Sequence, residues 1–413
     1  MNDMAVISSD RLPAGWKRVP LKHNLRRLSD KFPKGGKVMA LENIESWTGR
    51  EIKTASTFEG DGVAFKKGDI LFGKLRPYLA KVHLTETDGE AVGDLWALRH
   101  QEHVDPCFAA YQLLEPGFID RVNGSTTGAK MPRAEWGFVG SIKVPTPPLE
   151  EQTAIATFLD RETARIDGLI EKKGRFIELL KEKRAALITH AVTKGIDVDV
   201  LMKDSGVEWI GQVPSHWDVR RIAALFREAF RAPDPSLPVL SVSIHDGVTD
   251  GELSDEERDR KVALSEDRTK YQGVAPGDLV YNMMRAWQGA FGAVQVDGLV
   301  SPAYVVAHPI AEFRTKFIEH ILHTKSASEE IRRFSRGIAD FRMRLYWDHF
   351  RNLRVCLPSL EEQDAILAHI DRETTRIEGL ISTTNRSIEL LKEKRSALIT
   401  AAVTGKIDVR SAA

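Results

Sequence analysis

The sequence predicts an α+β protein built from two globular domains of mixed helix and strand, which two long helices separate and follow. Three observations support this prediction. One helical segment occurs twice, the stretches before the two copies share short motifs, and 413 residues exceed the usual size of a single core. Each copy of the helix follows a domain of the same plan, so we expect a pseudo-twofold symmetric frame.

The clearest feature is the internal repeat. The segment Val144–Val198 returns as Val355–Val409 without a gap, with about two-thirds of the positions identical. Three stretches match best: Leu149–Gln152 with Leu360–Gln363, Asp160–Thr163 with Asp371–Thr374, and Glu178–Arg184 with Glu389–Arg395. Each copy predicts one helix of about 40 residues, roughly 60 Å long, because proline precedes it and is absent from its interior.

Apolar residues recur along both helices at coiled-coil spacing, so we expect the two copies to pack against each other. The predicted seam is Ile155, Leu159, Ile166, Leu169, Leu180, Leu187, Ile366, Ile370, Ile377, Leu380, Leu391 and Leu398. Polar Glu162 and Lys173 interrupt it. A single helix of this kind is most often a spacer or a dimerisation element, whereas two near-identical copies indicate a frame that holds two different domains.

The stretches before the repeats match in outline. Four segments are predicted: residues 1–148 and 201–358 as globular domains, and residues 149–200 and 359–413 as helical spacers. Gly68–Phe72 matches Gly277–Tyr281, and each predicted strand leads to an arginine, Arg76 or Arg285. Pro13-x-x-Trp16 also matches Pro214-x-x-Trp217, and Trp136 and Trp347 stand equally far before their repeats. The two domains share these motifs and differ elsewhere in sequence. This pattern favours one fold that recognises two different ligands.

Local patterns place several elements within the domains. Strands are expected at Val38–Ile44, Asp69–Phe72, Pro238–Ile244, Asp278–Met283 and Ala303–Ala307, and helices at Cys107–Leu114 and Glu312–Phe334. The glycines of Lys194–Pro214 indicate a connection into the second domain.

Composition narrows the class of protein. The 59 basic and 59 acidic residues balance, which argues against binding of a polyanion over the whole surface but leaves local basic surfaces open. No apolar run is long enough to span a bilayer, and the first residues lack a secretory pattern. Cys107 and Cys356 suggest neither a disulfide framework nor a zinc site. We therefore expect a cytoplasmic protein with no membrane partner.

These motifs together resemble the specificity subunit of type I restriction–modification systems. The resemblance covers essentially the whole chain. It rests on the entry to the second domain (Gly206–Trp217), the two Gly-Asp strands, and the Leu-Glu-Glu-Gln start of each long helix. The order of two domains and two helices makes the combination specific, although each motif alone is weak.

The resemblance implies a function for each part. Each globular domain would be a target recognition domain that reads one half of a split sequence in double-stranded DNA, and the long helices would form an antiparallel coiled coil that fixes the gap. Two modification subunits would supply adenine N6 methylation, and two restriction subunits would supply translocation and cleavage. No cofactor is expected on this chain, whereas S-adenosylmethionine, ATP and Mg are expected on those partner subunits.

Catalytic signatures are missing from the sequence itself. It has no Asn/Asp-Pro-Pro-Tyr/Phe motif of adenine methyltransferases, and its twelve histidines form no metal-spaced set. The segment Gly124–Lys130 is superficially similar to a phosphate-binding loop, but its spacing is wrong, so a flexible polar loop is the better interpretation. We expect no catalytic, cofactor-binding or metal-binding residue on this chain.

DNA binding requires lysine and arginine at phosphates, and arginine, lysine, asparagine or glutamine at base edges. The densest basic stretch is Ile331–Arg354, and its counterpart in the first domain is Ser125–Arg133. The candidate DNA-binding residues are Lys74, Arg76, Lys130, Arg133, Arg285, Arg336, Arg342 and Arg344. Tyr78, Asn282 and Trp287 are weaker candidates. The two aromatic residues among them, Tyr78 and Trp287, could equally be core residues.

Two other interpretations stay open at this point. The basic stretches could be solvated surfaces or could form salt bridges to partner subunits. The whole chain could instead be a coiled-coil scaffold with two protein-binding modules and no DNA role. Within the restriction–modification interpretation, the sequence cannot separate a complex that methylates and cleaves from one that only methylates, and it does not reveal the target sequence.

Overall fold

The structure, a computed structural model, describes residues 12–31, 37–54, 62–126, 128, 130–244, 247–249, 268–337 and 343–409. Its contacts divide the chain into two compact units. The first unit combines Met1–Gly174 with Thr384–Ala413, and the second is Arg175–Thr383. Each long helix therefore contributes one half to each unit. The predicted division into four sequence segments stays a prediction.

The part of the first unit that precedes the second contains nine described strands and five α-helices, the last of which continues into the second unit. In chain order they are β1 (Lys17–Pro20), α1 (Leu21–Asn24), β2 (Leu25–Arg27), β3 (Lys37–Met39), β4 (Val63–Phe65), β5 (Ile70–Gly73), β6 (Val82–Leu84), β7 (Gly89–Ala91), β8 (Leu95–His100), α2 (Pro106–Leu114), α3 (Pro116–Gly124), α4 (Trp136–Val139), β9 (Lys143–Thr146) and α5 (Leu149–Lys194).

The second unit repeats this plan and ends with the helix that returns to the first unit. Its described elements are β10 (Met202–Asp204), β11 (Gln212–Pro214), β12 (Asp218–Arg221), α6 (Ile222–Leu225), β13 (Phe226–Glu228), β14 (Ser241–Ser243), β15 (Gly247–Thr249), β16 (Gln272–Val274), β17 (Leu279–Asn282), β18 (Phe291–Ala293), β19 (Gly298–Val300), β20 (Tyr304–Pro309), α7 (Thr315–Leu322), α8 (Lys325–Phe334), α9 (Trp347–Phe350), β21 (Arg354–Leu357) and α10 (Leu360–Val403).

Both units are built around an antiparallel four-stranded sheet of the same order. In the first unit the order is β2-β8-β5-β6, and in the second it is β13-β20-β17-β18. A two-stranded ribbon, β1-β9 or β12-β21, closes each domain just before its long helix. The predicted α+β fold and the duplication of one plan are therefore confirmed.

The strand expected over Pro238–Ile244 is confined to Ser241–Ser243. Two further predicted elements are interrupted, each for a local reason. The strand expected over Val38–Ile44 stops at Met39, because the Asn43 side chain accepts a hydrogen bond from the Ala40 amide at 2.9 Å and closes a turn. The helix expected over Glu312–Phe334 is two helices, α7 and α8. The Thr324 hydroxyl caps α8 by accepting a hydrogen bond from the Ala327 amide, and this starts a new helix.

The glutamine of each Leu-Glu-Glu-Gln motif ties the start of a long helix to its domain. Gln152 is buried; it donates to the Pro147 carbonyl at 2.8 Å and accepts from the Asp105 amide at 2.9 Å. Gln363 does the same in the second unit. It donates to the Pro358 carbonyl and accepts from the Arg314 amide. The most repeated motif of the sequence is thus a structural joint between the domain and its helix.

The two Pro-x-x-Trp motifs pack at the far ends of the long helices. Trp16 belongs to a buried cluster of the first unit that includes Ile399 and Val403 of α10. Trp217 belongs to a buried cluster of the second unit that includes Ala191 and Val192 of α5. Each domain is therefore held by the beginning of one long helix and the end of the other.

Within each unit the two helix halves that meet run antiparallel. In the first unit, Ile155 and Leu159 near the start of α5 share a cluster with Ile399 and Val403 near the end of α10. In the second unit, Ala191 and Val192 at the end of α5 share a cluster with residues at the start of α10. Regular coiled-coil packing along the helices stays a prediction.

Along each long helix, positions separated by alternating four-residue and three-residue steps are almost all buried or partly buried. On α5 the stripe is Gln152, Ala156, Leu159, Thr163, Ile166, Ile170, Lys173, Ile177, Leu180, Arg184, Leu187 and Ala191, and all of them except Arg184 are buried or partly buried. The equivalent positions of α10, from Gln363 to Ala402, are all buried or partly buried. This spacing is that of a helix with one continuous contact side.

The predicted seam needs one correction, which occurs at the same place in both copies. Leu169 and Leu380 are exposed, by 39% and 43%, so neither lies in the seam. Ile166 follows Thr163 by three residues, so the next contact position in the alternation lies four residues further on, at Ile170 and not at Leu169. The other predicted seam positions are buried or partly buried: Ile155, Leu159, Ile166, Leu180, Leu187, Ile366, Ile370, Ile377, Leu391 and Leu398.

Candidate nucleic-acid interface

In the first unit, the two basic groups that the sequence predicts lie side by side. The chain leaves β5 at Gly73 and continues through Lys74 and Arg76. The loop that carries Arg133 runs along this segment, since the Arg76 amide donates to the Pro132 carbonyl and the Ala134 amide donates to the Lys74 carbonyl, both at 2.8 Å. Residues about 60 positions apart in the sequence thus form one basic junction at the end of β5.

The second unit has the same junction at the end of β17. The Leu345 amide donates to the Met283 carbonyl at 2.8 Å, which matches the bond from Ala134 to Lys74. Arg336 and Arg344 exchange backbone hydrogen bonds of 3.0 and 2.9 Å and hold the loop closed at its base. Arg285 lies two residues after Met283 and Arg344 lies one residue before Leu345, so this backbone hydrogen bond brings the two segments that carry these arginines together.

The exposure of these side chains fits a surface that binds a ligand. Arg76, Lys130 and Arg133 are exposed in the first unit, as are Arg336 and Arg344 in the second. Lys74 and Arg285 are partly buried. The predicted contact Arg342 lies outside the described residues, so its position is not placed.

One carboxylate partly balances the junction of the first unit. Asp94, which precedes β8, lies 3.1 Å from the Arg133 guanidinium and 3.7 Å from the Lys74 ammonium. The hydrogen bond from Arg133 holds the pKa of the Asp94 carboxyl below its usual value, against the opposing effect of partial burial. Arg76 carries no ion pair with any described residue, and the junction keeps a net positive charge.

Backbone strain marks the same segment of the first unit. Arg76 adopts a left-handed conformation with φ of 50°, and Ala80 does so with φ of 45°. Residues other than glycine rarely adopt this conformation, which is found most often at binding sites and tight turns. The equivalent of Ala80 in the second unit is Gly289, which has a φ of 95°. Glycine adopts this conformation without strain because it has no Cβ atom.

The aromatic residues near the junctions divide between surface and core. Tyr78 is exposed by 45% and is free to meet a ligand. Its counterpart Trp287 packs beneath the Arg332 guanidinium, which lies 5.1 Å from the ring centroid. Trp136 stacks edge-on against Trp96, and Trp347 does so against Phe350. Trp287, Trp347 and Trp136 are thus partly buried against the cores of their domains.

The aspartate of each Gly-Asp motif is buried and structural. Asp69 accepts from the Arg99 guanidinium at 2.6 and 2.8 Å. It also closes the preceding turn by accepting from a backbone amide. In the second unit Asp278 lies 2.8 Å from His308 and 3.4 Å from Arg231. The motif therefore fixes the strand that leads to Arg76 or Arg285, and does not itself face a ligand.

No pattern in the sequence indicates the role of Asp94. An aspartate before a strand is common, and its partner Arg133 is 39 residues away. A comparison of the two domains carried one clue, because Ala303 occupies the equivalent position before β20. The functional relevance of this difference is visible only in the fold, which places Asp94 beside the basic loop.

Other kinds of site find no support in the part of the chain that the structure describes. No group of three or more metal-ligating side chains occurs among those residues. None of the described helices combines the length and the apolar character that crossing a membrane requires.

Comparison with known proteins points to one family. No family model matches the chain. Over 140 residues it is 32% identical to the EcoDI specificity subunit of a type I restriction enzyme from Escherichia coli, an alignment that covers 33% of this chain and 31% of that relative. The MjaVIII specificity subunit of Methanocaldococcus jannaschii is 23% identical, with 75% of this chain and 72% of the relative covered.

A third relative, the EcoBI specificity subunit of Escherichia coli, is 23% identical over 71% of this chain and 64% of its own length. The alignments with EcoDI and EcoBI thus span less than two-thirds of those proteins. Two solved structures share the fold. The HsdS subunit of Thermoanaerobacter tengcongensis gives a TM-score of 0.55 at 16% identity, covering 96% of this chain and 99% of that one.

The second solved chain comes from work on assembly and conformational transition of the type I R-M system. It gives a TM-score of 0.66 at 17% identity and covers 97% of this chain and 100% of that chain. At such identities the structural similarity establishes the fold and leaves function to be argued from the site.

Proposed function

We propose that this chain, a member of the type I restriction enzyme specificity-subunit family, recognises the DNA target of such an enzyme and carries no catalytic centre of its own. The target would be a bipartite duplex sequence, with one half read by the domain of each unit. Methylation and cleavage would be directed by this chain and carried out by partner subunits.

The observation that carries this proposal is the duplicated basic junction. Two domains of one fold present an arginine-bearing loop at the same place, held by the same backbone hydrogen bond from Ala134 to Lys74 and from Leu345 to Met283. The side chains around the two junctions differ, as Tyr78 against Trp287 and Asp94 against Ala303 illustrate. One framework with two sets of contact residues suits the reading of two different half-sites.

The partners follow from the family. We propose two modification subunits, which bind S-adenosylmethionine and methylate adenine, and two restriction subunits, which use ATP and Mg. The near-identity of the two long helices supports this pairing, since two equal partners need two equivalent surfaces. The cytoplasm, where host DNA is accessible, is the proposed location. A target adenine inside a duplex would have to be flipped out for methylation by these partners.

A binding experiment tests the proposal. The chain is co-purified with its modification subunits and incubated at moderate salt with a library of duplexes that carry random bases. We expect enrichment of one split motif with a fixed gap, because salt weakens phosphate contacts shared by all sequences more than base contacts. Recovery of no motif above random DNA would reject DNA recognition and favour the protein-binding scaffold.

Charge reversal separates these two functions further. If the exposed pair Arg336 and Arg344 contacts DNA, replacing both by glutamate abolishes motif enrichment and leaves assembly with the modification subunits intact. A scaffold without a DNA role predicts the opposite result. Methylation without cleavage is a variant of the proposed function, and the presence of a restriction gene beside this one decides it.

A further inference from the structure

We propose that Arg133, held in place by Asp94, reads a guanine in the half-site bound by the first unit. This inference rests on the proposed function and adds to it the chemistry of one contact. The site consists of the Arg133 guanidinium, the Asp94 carboxylate behind it, and the backbone of Lys74–Arg76, which fixes the loop.

The geometry of the ion pair leaves one edge of the arginine open. Nε and Nη2 of Arg133 donate to the two oxygens of Asp94, each at 3.1 Å. An arginine carries five N–H groups in one plane, so this pairing uses the side of the fork and leaves the outer edge of Nη1 and Nη2. No other acceptor contacts Arg133 among the described residues. Two parallel donors at that edge match the O6 and N7 acceptors of guanine in the major groove.

The backbone of Arg133 is fixed as firmly as its side chain. The residues on either side of it, Pro132 and Ala134, both make backbone hydrogen bonds of 2.8 Å to the segment Lys74–Arg76. The side chain itself is half exposed. An ion pair at such exposure adds little to the stability of a fold. Because the ion pair adds little stability, a role in ligand recognition explains the fixed position and open edge of Arg133 better than a role in stabilising the fold.

The carboxylate favours a base over a phosphate as the partner. A phosphate at the open edge of Arg133 would bring a second negative charge close to Asp94, and the two would repel. A guanine edge has no net charge and offers two acceptors at fixed separation. Asp94 therefore lowers the attraction of this position for the DNA backbone while it keeps the donors aimed in one direction.

The second unit has no carboxylate at the position equivalent to Asp94. Ala303 stands where Asp94 stands in the first unit, and Arg344 takes the place of Arg133. The arginine of the second unit thus has no carboxylate from the equivalent position before β20. The two units are expected to use their equivalent arginines differently, which agrees with half-sites of different sequence.

The test uses the full chain with its modification subunits and the split motif that the binding selection returns. Duplexes with each base pair of the motif replaced in turn are compared for the wild type, Arg133→Lys, Arg133→Ala and Asp94→Asn. Arg133→Lys keeps the charge and removes the planar fork. We expect it to lose on the order of 10- to 100-fold of discrimination at one G·C pair of one half-site only.

Asp94→Asn is expected to act in a second, distinct way. Removal of the carboxylate should strengthen binding to random duplexes and weaken preference for the same G·C pair. Arg314→Lys is the matched control, because Arg314 makes a two-bond pair with Asp364 at 2.6 and 2.7 Å and is exposed to a similar degree. It should change neither quantity. Circular dichroism and assembly with the modification subunits verify that each variant is folded.

Several results would overturn the inference. Equal weakening at every sequence by an Arg133→Ala variant, with full affinity in Arg133→Lys, would identify a phosphate contact. Unchanged discrimination in both Arg133 variants would identify a surface ion pair only. In either case the wild type still selects a split motif. Failure of the proposed function itself is distinguishable, because the wild type would then select none.

Discussion

Arg395 of α10 donates through Nε to the Asp167 carboxylate of α5 at 3.0 Å, and both side chains are largely shielded from solvent. The repeat contains the same pair in reverse. Arg184, equivalent to Arg395, lies 3.1 Å from Glu378, equivalent to Asp167, but this second pair is exposed. The repeat thus places one ion pair between the helix halves of each unit, in two different environments.

The first prediction uses these two pairs as matched variants. Arg395→Ala leaves the partly buried Asp167 without its cation and also removes a hydrogen bond to the Trp47 carbonyl. We expect it to lower the free energy of unfolding by about 3 kcal/mol, since breaking a buried pair strands a charge. Arg184→Ala should cost less than about 1 kcal/mol, because its pair is exposed and screened. Urea unfolding of both variants measures the difference, and equal losses would contradict the environments seen here.

The second prediction concerns the joint at the start of α5. Gln152→Ala removes partners from the Asp105 amide and from the carbonyls of His103 and Pro147. Buried groups left without hydrogen bonds are costly, so we expect a loss of about 2–3 kcal/mol in the free energy of unfolding. Thr157→Ala, on the exposed side of the same helix, is the control. A loss no larger than that of the control would mean that the joint does not hold the domain.

The third prediction is a loss of stability in acid that depends on His320 of α7. Burial, aided by the positive charges of Lys316, His323 and Arg184, lowers the pKa of His320 to about 3. An unfolded histidine takes up its proton near pH 6.5, so between pH 6.5 and 3 the unfolded state binds more protons. Stability should therefore fall as pH falls through that window, and His320 alone should contribute about 2 kcal/mol of that fall between pH 7 and 5.

Urea unfolding at both pH values measures this effect. His320→Gln cannot take up the proton, so its stability should fall by about 2 kcal/mol less than that of the wild type over the same interval. His190→Gln, at an exposed position of α5, should keep the wild-type dependence on pH. A wild-type slope in the His320 variant would show that another group titrates.

The fourth prediction concerns the two equivalent arginines that follow the Gly-Asp strands. We expect Arg76→Ala and Arg285→Ala each to weaken binding to all duplexes alike and to reduce the salt dependence of binding by about one phosphate contact. Arg121→Ala, on the exposed surface of α3, should leave both unchanged. Binding titrations at several salt concentrations decide this. An unchanged salt slope in either junction variant would remove that arginine from the DNA surface.

Much of the fold was predictable because the two copies of the repeat are similar enough to be found by comparing the sequence with itself. Identity between the copies revealed both long helices, and the paired Gly-Asp and Pro-x-x-Trp motifs revealed two domains of one plan. The prediction that Leu169 and Leu380 lie in the seam is wrong because hydrophobicity alone does not show which of two neighbouring apolar residues faces the other helix. Only the four-and-three spacing of buried positions distinguishes Ile170 from its neighbour.

The candidate interface was predictable as a set of residues but not as a site. Local charge density pointed to Arg133 and Arg344, and the arginines after the strands pointed to Arg76 and Arg285. That these groups meet depends on backbone hydrogen bonds between segments far apart in the chain, which no local pattern encodes. The partner Asp94 was missed for the same reason.

If this chain alone determines a split DNA target, adenine methylation at that target in the host depends on its gene, and methylome sequencing of the host measures this dependence. The host is sequenced with the gene intact, deleted and restored. We predict adenine methylation at one bipartite motif, lost on deletion and regained on restoration, with one half-site altered by changes at the junction of one unit. Methylation that persists at the same motif after deletion would show that another protein determines the target.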